Sequence, residues 1–237
     1  MIIDCISDLH GHFPELQGGD LLIVAGDLTA RHTSQEWDEF QDWLTNQPYT
    51  KKILIAGNHD TFIIDRAEDM TWNFWEHWSN VTYLCDSGTE FVYYPPLEKG
   101  LPNGMALERK KLTIWGSPWT KKFPGMNPKA MAFTVDTEEE LANKWSLIPD
   151  DVDILVTHSA PNGILDQLKE ENKYAGSESL RNATLNSTRF KRKKLHVFGH
   201  IHENGGKMID LACCKFVNAS IVNEHYKLVN KPVRVEL

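Results

Sequence analysis

Five short apolar runs, each broken off by Gly, Asp, Asn or His, limit this chain more than any other feature. They are MIIDCISD (1–8), DLLIVAGD (20–27), KKILIAGNHD (51–60), VDILVTH (152–158) and LHVFGHIH (195–202). Runs apolar at nearly every position, bounded by turn formers and separated by polar segments, predict strands buried on both faces. Between the second and third, SQEWDEFQDWLTNQP sets Trp37, Phe40 and Leu44 on one stripe ahead of Pro48, which predicts an amphipathic helix. DTEEELANKWSLIPDD repeats the pattern with Leu141, Trp145 and Ile148, its acidic start matching the helix dipole. Strands alternating with helices predict an α/β architecture rather than a bundle or an all-β sandwich.

The remaining segments modify that picture. The tail from Gly206 has strand-like runs without helical periodicity, so antiparallel strands and a mixed sheet are expected there. TEFVYY and KLTIWGS read as strands around the loop PPLEKGLPNGM. With 237 residues and no linker, repeat or low-complexity tract, the chain reads as one domain, 1–237.

Charge and cysteine usage narrow the partners. Lys plus Arg number 25 against 33 Asp plus Glu, a net charge of −8, so the average surface repels long nucleic acid and an anionic substrate needs a local cation. The four cysteines, Cys5, Cys85, Cys213 and Cys214, show neither a C-x-x-C pair nor a disulfide framework and read as small buried apolar residues. No apolar run reaches the roughly 20 residues of a membrane span, and the first segment has no signal-peptide pattern, so the expected location is cytoplasmic, with no membrane partner.

Each run ends in side chains suited to a metal: Asp8 with His10, Asp27, Asn58 with His59, His158, and His200 with His202. In α/β sheets ligands gather outside the carboxyl ends of strands, so five such ends can meet at one point. Residues two apart in an extended segment project to one side, which aims Asp8 with His10 and His200 with His202. Imidazole, carboxylate and amide together suit Mn²⁺, Fe²⁺ or Zn²⁺ better than a thiolate or all-oxygen site does. Some seven ligands are too many for one tetrahedral ion but fit two ions sharing a carboxylate, about 3.5–4 Å apart, an arrangement that hydrolyses phosphate esters.

In this order, DLHG, GDLT, GNHD, VTHSAP and FGHIH resemble the motif series of the calcineurin-like metallophosphoesterase superfamily. WGSPWTKKF, AFTVDTEEELANKWSLIPDDVDILVTHSAP, VFGHIHE and VNASIV are further similar to its 239-type, or metallophosphoesterase-domain-containing, phosphodiesterase branch. The resemblance implies a four-layer αββα sandwich, two mixed sheets flanked by helices. It implies that Asp8, His10, Asp27 and His202 hold one divalent ion, and that Asp27, as bridge, with Asn58, His158 and His200 holds the other. His59 falls on the catalytic position with Asp60 as the carboxylate beside it, and Asn58 and His59 also face the substrate. The implied activity is hydrolysis of phosphodiesters such as cyclic nucleotides, with a small phosphate ester, a nucleotide, as the partner.

Other readings stay open. A phosphomonoesterase would use the same two metals. A protein phosphatase fits less well, because GDLTARHT lacks that group's second Asp and final Gly and leaves Arg31 only as a candidate substrate contact. A non-catalytic metal-binding scaffold would be expected to lack some of these residues. His12, His32, His77, His196 and His225 are read as loop or packing residues. RFKRKK at 189–194 is read as a solvated face able to steer a phosphate, and Trp72, Trp75 and Trp78 as a helix stripe packed on the core.

Overall fold

The computed structural model describes residues 1–67, 80–94, 109–170, 173–186, 193–211 and 214–237. The readings made for Trp72, Trp75, Trp78, His77, Cys213, the 95–105 loop and residues 189–192 of the basic run lie outside the described residues. In chain order the elements are β1 (Ile2–Ile6), β2 (Gly19–Ala25), α1 (Ser34–Thr45), β3 (Tyr49–Ile55), α2 (Thr61–Ala67), β4 (Val81–Tyr83), β5 (Ser87–Tyr93) and β6 (Lys110–Ser117). A two-residue pair follows, β7 (Thr120–Lys121) and β8 (Thr134–Val135), then α3 (Glu138–Ser146), β9 (Ile154–Thr157) and α4 (Glu178–Arg181). The chain ends in β10 (Leu195–Phe198), β11 (Lys207–Leu211), β12 (Cys214–Asn218) and β13 (Val233–Glu236).

Two mixed sheets result, ordered β13-β1-β2-β3-β4 and β11-β12-β10-β9-β6-β5. Parallel pairing joins β1 through β4, and β6, β9, β10 and β12, while β13, β11 and β5 pair antiparallel at the edges. The tail thus supplies antiparallel strands as expected, but splits them between the two sheets.

Side-chain alternation explains the layering. Ile3, Cys5, Leu21, Ile23, Ala25, Ile53 and Ile55 face the second sheet and meet Ile114, Ile154, Val156, Val197 and Val217 in a fully enclosed core. Their strand neighbours Leu22, Val24 and Leu54 point the other way, onto Trp37, Phe40 and Leu44 of α1. On the far side Leu155 packs beneath Leu141 and Trp145 of α3. Period-2 faces on the strands and period-3.6 stripes on the helices therefore produce the α, β, β, α order expected from the sequence. Among the described residues no helix is long and apolar enough to cross a membrane.

Both long helices are started by threonines. Thr33 accepts from the Glu36 amide at 3.2 Å. Thr137 and Glu140 form a reciprocal capping box, Glu140 N to Thr137 Oγ1 at 3.2 Å and Thr137 N to Glu140 Oε2 at 2.9 Å. Replacing Thr137 by Ala removes one of these bonds, and urea denaturation is expected to show a loss of about 1 kcal/mol.

Candidate metal centre

The site lies where the parallel strands β1, β2, β3, β9 and β10 end. Within three residues of those ends come Asp8, Asp27, Asn58, His158 and His200. The backbone does not remain extended as expected: φ is 55° at Asp8, 43° at His10, 52° at Asp27 and 69° at His200. His202 opens a short 3₁₀ turn, His202–Asn204. Strand alternation therefore does not aim these side chains. Left-handed turns past the strand ends do, at about 1–3 kcal/mol of strain for each non-glycine residue so held.

Hydrogen bonds offset that strain. The His200 amide donates to both oxygens of Asp8, at 3.0 and 3.1 Å, and the His59 amide donates to Asp27 Oδ1 at 2.8 Å. Gly57 and Gly199 leave room for the approach. A Cβ at Gly57 would stand 2.6 Å from His158 Nε2 and from the Asp27 amide nitrogen, and one at Gly199 would collide with the side chains of Ser7 and Asp8.

Asp8 and Asp27 are buried to 0% and 1% exposure and form the centre of three groups. Asp8, His10 and His202 present ligand atoms within 4.8 Å of one another, as do Asp8, Asp27 and His158, and His10, Asp27 and His59. His202 Nε2 is 3.3 Å from Asp8, while His158 Nε2 and His10 Nε2 are 3.3 and 3.6 Å from Asp27. His158 Nδ1 donates to the Ala25 carbonyl at 2.8 Å, which turns Nε2 toward Asp27. The Asn58 amide is oriented likewise: Nδ2 donates to Ala130 O at 3.1 Å, leaving Oδ1 toward His158 Nε2 at 3.2 Å. His200 stacks edge-on to His158, ring centroids 5.1 Å apart. All seven expected ligand residues are thus brought together.

Electrostatics describe a pocket built for cations. Burial opposes ionisation of Asp8 and Asp27, yet His202 acting on Asp8 and His158 acting on Asp27 hold both carboxyls well below the usual range. Burial likewise disfavours charge on His158, but Asp27 outweighs it and lifts this imidazole to about 9. His10 is pushed down by burial to about 4, so its ring is neutral, and neither ring nitrogen has a hydrogen-bond partner. A buried imidazole left without partners beside two carboxylates fits a metal ion, which would accept its lone pair.

Two expectations change. Asp60 does not pair with the His59 imidazole: no hydrogen bond or ion pair joins them among the described residues. Its carboxylate instead accepts from the amides of Leu28 (3.0 Å), Thr29 (3.1 Å) and Gly57 (2.8 Å) and from the Thr29 hydroxyl (3.1 Å). It knots the loop after β2 to the loop after β3, although burial, followed by the charge of Asp27, pushes it up to about 7. Arg31 is exposed, and its amide is engaged by Glu36 at 2.6 Å. It is not among the residues lining the cavity described next.

That cavity, about 710 Å³, opens from Asp27, Asn58, His59, His200 and His202. Sequence reasoning missed Phe123, Tyr174 and Tyr226 on its wall. The available signals were an aromatic beside Pro-Gly in KKFPG and one inside the turn-rich NEHYK. Of the histidines given no role, His12 holds the Tyr226 carbonyl at 2.9 Å, His196 is buried against Thr157, His32 bonds the Thr61 hydroxyl, and His225 pairs with Glu224. Lys193 is buried rather than solvated, whereas Lys194 reaches Asp153 at 3.4 Å.

Two sheets enclosing a pair of buried carboxylates ringed by imidazoles form a site whose donors suit divalent metal ions. The calcineurin-like phosphoesterase profile matches residues 1–204, and the chain belongs to that family of metal-dependent phosphoester hydrolases. Metallophosphoesterase domain-containing protein 1 of Homo sapiens is 35% identical over 241 residues, 98% of this chain and 70% of that protein, and its Mus musculus counterpart gives the same figures. The UPF0046 protein T07D4.2 of Caenorhabditis elegans is 32% identical over 244 residues, 97% of this chain and 58% of that protein. Among solved structures, phosphopantetheinyl hydrolase from Mycobacterium tuberculosis superposes with a TM-score of 0.56 at 19% identity, over 94% of this chain and 90% of that one, a likeness of fold.

Because Asp60 satisfies four donors in a fully buried position, Asp60→Ala strands them. The expected loss is at least about 3 kcal/mol in urea denaturation, with a collapse of divalent-ion affinity measured by calorimetry.

Proposed function

We propose that this chain is a phosphodiesterase using two divalent ions, Mn²⁺ with Fe²⁺ or Zn²⁺ as substitutes. Asp8, His10, Asp27 and His202 hold one ion. Asp27, Asn58, His158 and His200 hold the other. The observation that carries the reading is the gathering of His10, Asn58, His158, His200 and His202 around the two buried carboxylates Asp8 and Asp27 at the floor of an open cavity. Bound there, the ions supply Lewis acidity, which acidifies a water and neutralises phosphate oxygens.

The chain's own groups do the rest. Water oxygen bonds to phosphorus, the bond from phosphorus to the departing oxygen breaks, and a proton must reach that oxygen. His59 is the proton donor: its amide is fixed by Asp27, and its half-buried ring lines the cavity. Asp60 supports this from below, by holding the loop that carries His59 rather than by touching its ring.

The wall chemistry favours a diester over a monoester. A monoester brings two negative charges near neutral pH and a diester one. The cations lining the cavity, Lys121 and Lys122, already pair with Glu138 at 3.1 Å and Asp136 at 2.9 Å. Beyond the ligands the wall mixes apolar side chains, Met126, Leu168 and Tyr174 among them, with the carboxylates Glu178, Glu203 and Glu224, which disfavour a second negative charge. Cyclic nucleotides and related nucleoside diesters, with one charge and a flat base, suit such a wall, and the cavity is of ordinary ligand size.

Purified protein with Mn²⁺ is expected to hydrolyse bis(p-nitrophenyl) phosphate faster than p-nitrophenyl phosphate, and His59→Ala to lower kcat by about 10²–10⁴. No turnover of the diester, or an unchanged rate in the variant, rejects the reading. Mn²⁺ at about 100 times its Kd is expected to stabilise the fold by about 2.7 kcal/mol, seen as a rise in Tm that Asp27→Ala abolishes.

A further inference from the structure

Two exposed aromatic rings face the cavity, one beside each set of ligands. Phe123 is 52% exposed, and its ring centroid lies 6.4 Å from that of His200. Tyr226 is 49% exposed and stands edge-on to His10 at 4.8 Å and His202 at 5.2 Å, with His59 at 5.9 Å. Exposing an aromatic ring leaves apolar surface in water, so two such rings at the mouth of a charged site call for an occupant.

Tyr226 is also held in position. Its backbone is left-handed, with φ 57°, inside a turn closed by the Val222–Leu228 bridge. The Tyr226 amide donates to Asn223 O at 2.8 Å, Asn223 Oδ1 accepts from the amides of His225 and Lys227 at 3.0 Å, and His12 Nε2 donates to the Tyr226 carbonyl at 2.9 Å. A tyrosine fixed in strained backbone over three imidazoles presents one ring face in one orientation.

An acyclic phosphodiester carries two separate organic arms, whereas a monoester carries one and a cyclic nucleotide holds both ester oxygens on a single sugar. We propose that Phe123 and Tyr226 are specificity-determining residues that stack these two arms, Tyr226 the departing arm and Phe123 the arm that stays on phosphorus. This rests on the phosphodiesterase reading of the same site. The assignment follows from His59: the donor of the leaving-group proton has a ring contact with Tyr226 and none with Phe123 among the described residues. Both cavity lysines pair with carboxylates, and Glu178, Glu203 and Glu224 also line the wall, so the lining disfavours an anionic arm such as a polyphosphate and suits an uncharged nucleoside or aryl group.

Bis(p-nitrophenyl) phosphate and methyl p-nitrophenyl phosphate share a departing group and differ only in the retained arm. Phe123→Ala is expected to lower kcat/KM for the first about tenfold more than for the second, as loss of one aromatic stack implies. Tyr226→Ala lowers both by the same factor, and Tyr226→Phe restores both, since the ring rather than the hydroxyl stacks. Calorimetry supplies a readout independent of turnover: each alanine variant weakens diphenyl phosphate about tenfold more than dimethyl phosphate. The Mn²⁺-induced rise in Tm checks that both variants fold and load metal. If wild-type protein cleaves neither diester, the phosphodiesterase reading fails. If it cleaves both, but Phe123→Ala keeps the wild-type ratio or Tyr226→Ala alters it, the arm assignment fails.

Discussion

Two carboxylates of like charge, Asp8 and Asp27, are buried side by side at the end of the central strands. In a low-dielectric interior that arrangement costs several kcal/mol per ion unless it is compensated. The surrounding structure supplies the compensation. The amides of His200 and His59 donate to the two carboxylates, the imidazoles of His158 just past β9 and of His202 in the turn after β10 press against them, and Asp8, His10, Asp27 and His200 sit in left-handed backbone. Divalent cations complete the neutralisation, so the folding requirement and the chemical requirement of the site coincide.

The sandwich makes this possible because both sheets are largely parallel. Parallel strands deliver their carboxyl ends to one edge, and packing two sheets face to face brings five such ends from both halves of the chain together. The helices α1 and α3 supply no metal ligand, although Glu138 and Leu141 of α3 line the cavity. They cover the outer faces of β2, β3 and β9, which keeps the site-bearing strands buried on both sides and their ends fixed. Asp60 adds the local link that packing alone does not give, tying the loop carrying Asp27 to the loop carrying Asn58 and His59.

The chain's acidity and its anionic substrate are reconciled by the same means. A net charge of −8 is spread over the surface, whereas the cations that hold a phosphate are collected at one internal point. The rest of the cavity wall offers no unpaired lysine among the described residues, since Lys121 and Lys122 each face a carboxylate, and it also carries Glu178, Glu203 and Glu224. On the proposed reading, phosphate is recognised by the ligand cluster and the organic part by the aromatic side chains of the wall, a division suited to esters of modest charge.

The sequence by itself determined the five central strands, the two covering helices and the candidate ligand residues. Apolar runs ending in Asp, Asn or His carry their information locally: burial on both faces fixes the strand, and the strand's end fixes where the ligand side chain emerges. What it left open depended on neighbours distant in the chain. Whether the carboxylate of Asp60 turns to the ring of His59 or to backbone amides more than 30 residues away was decided by how the loop after β2 folds back. The same holds for Arg31, exposed and absent from the cavity wall with its backbone amide held by Glu36, and for Phe123 and Tyr226, whose rings approach the histidines from loops distant in the chain. Hydrogen bonds and ring contacts between segments have no signature in sequence spacing, so only the tertiary structure could assign them.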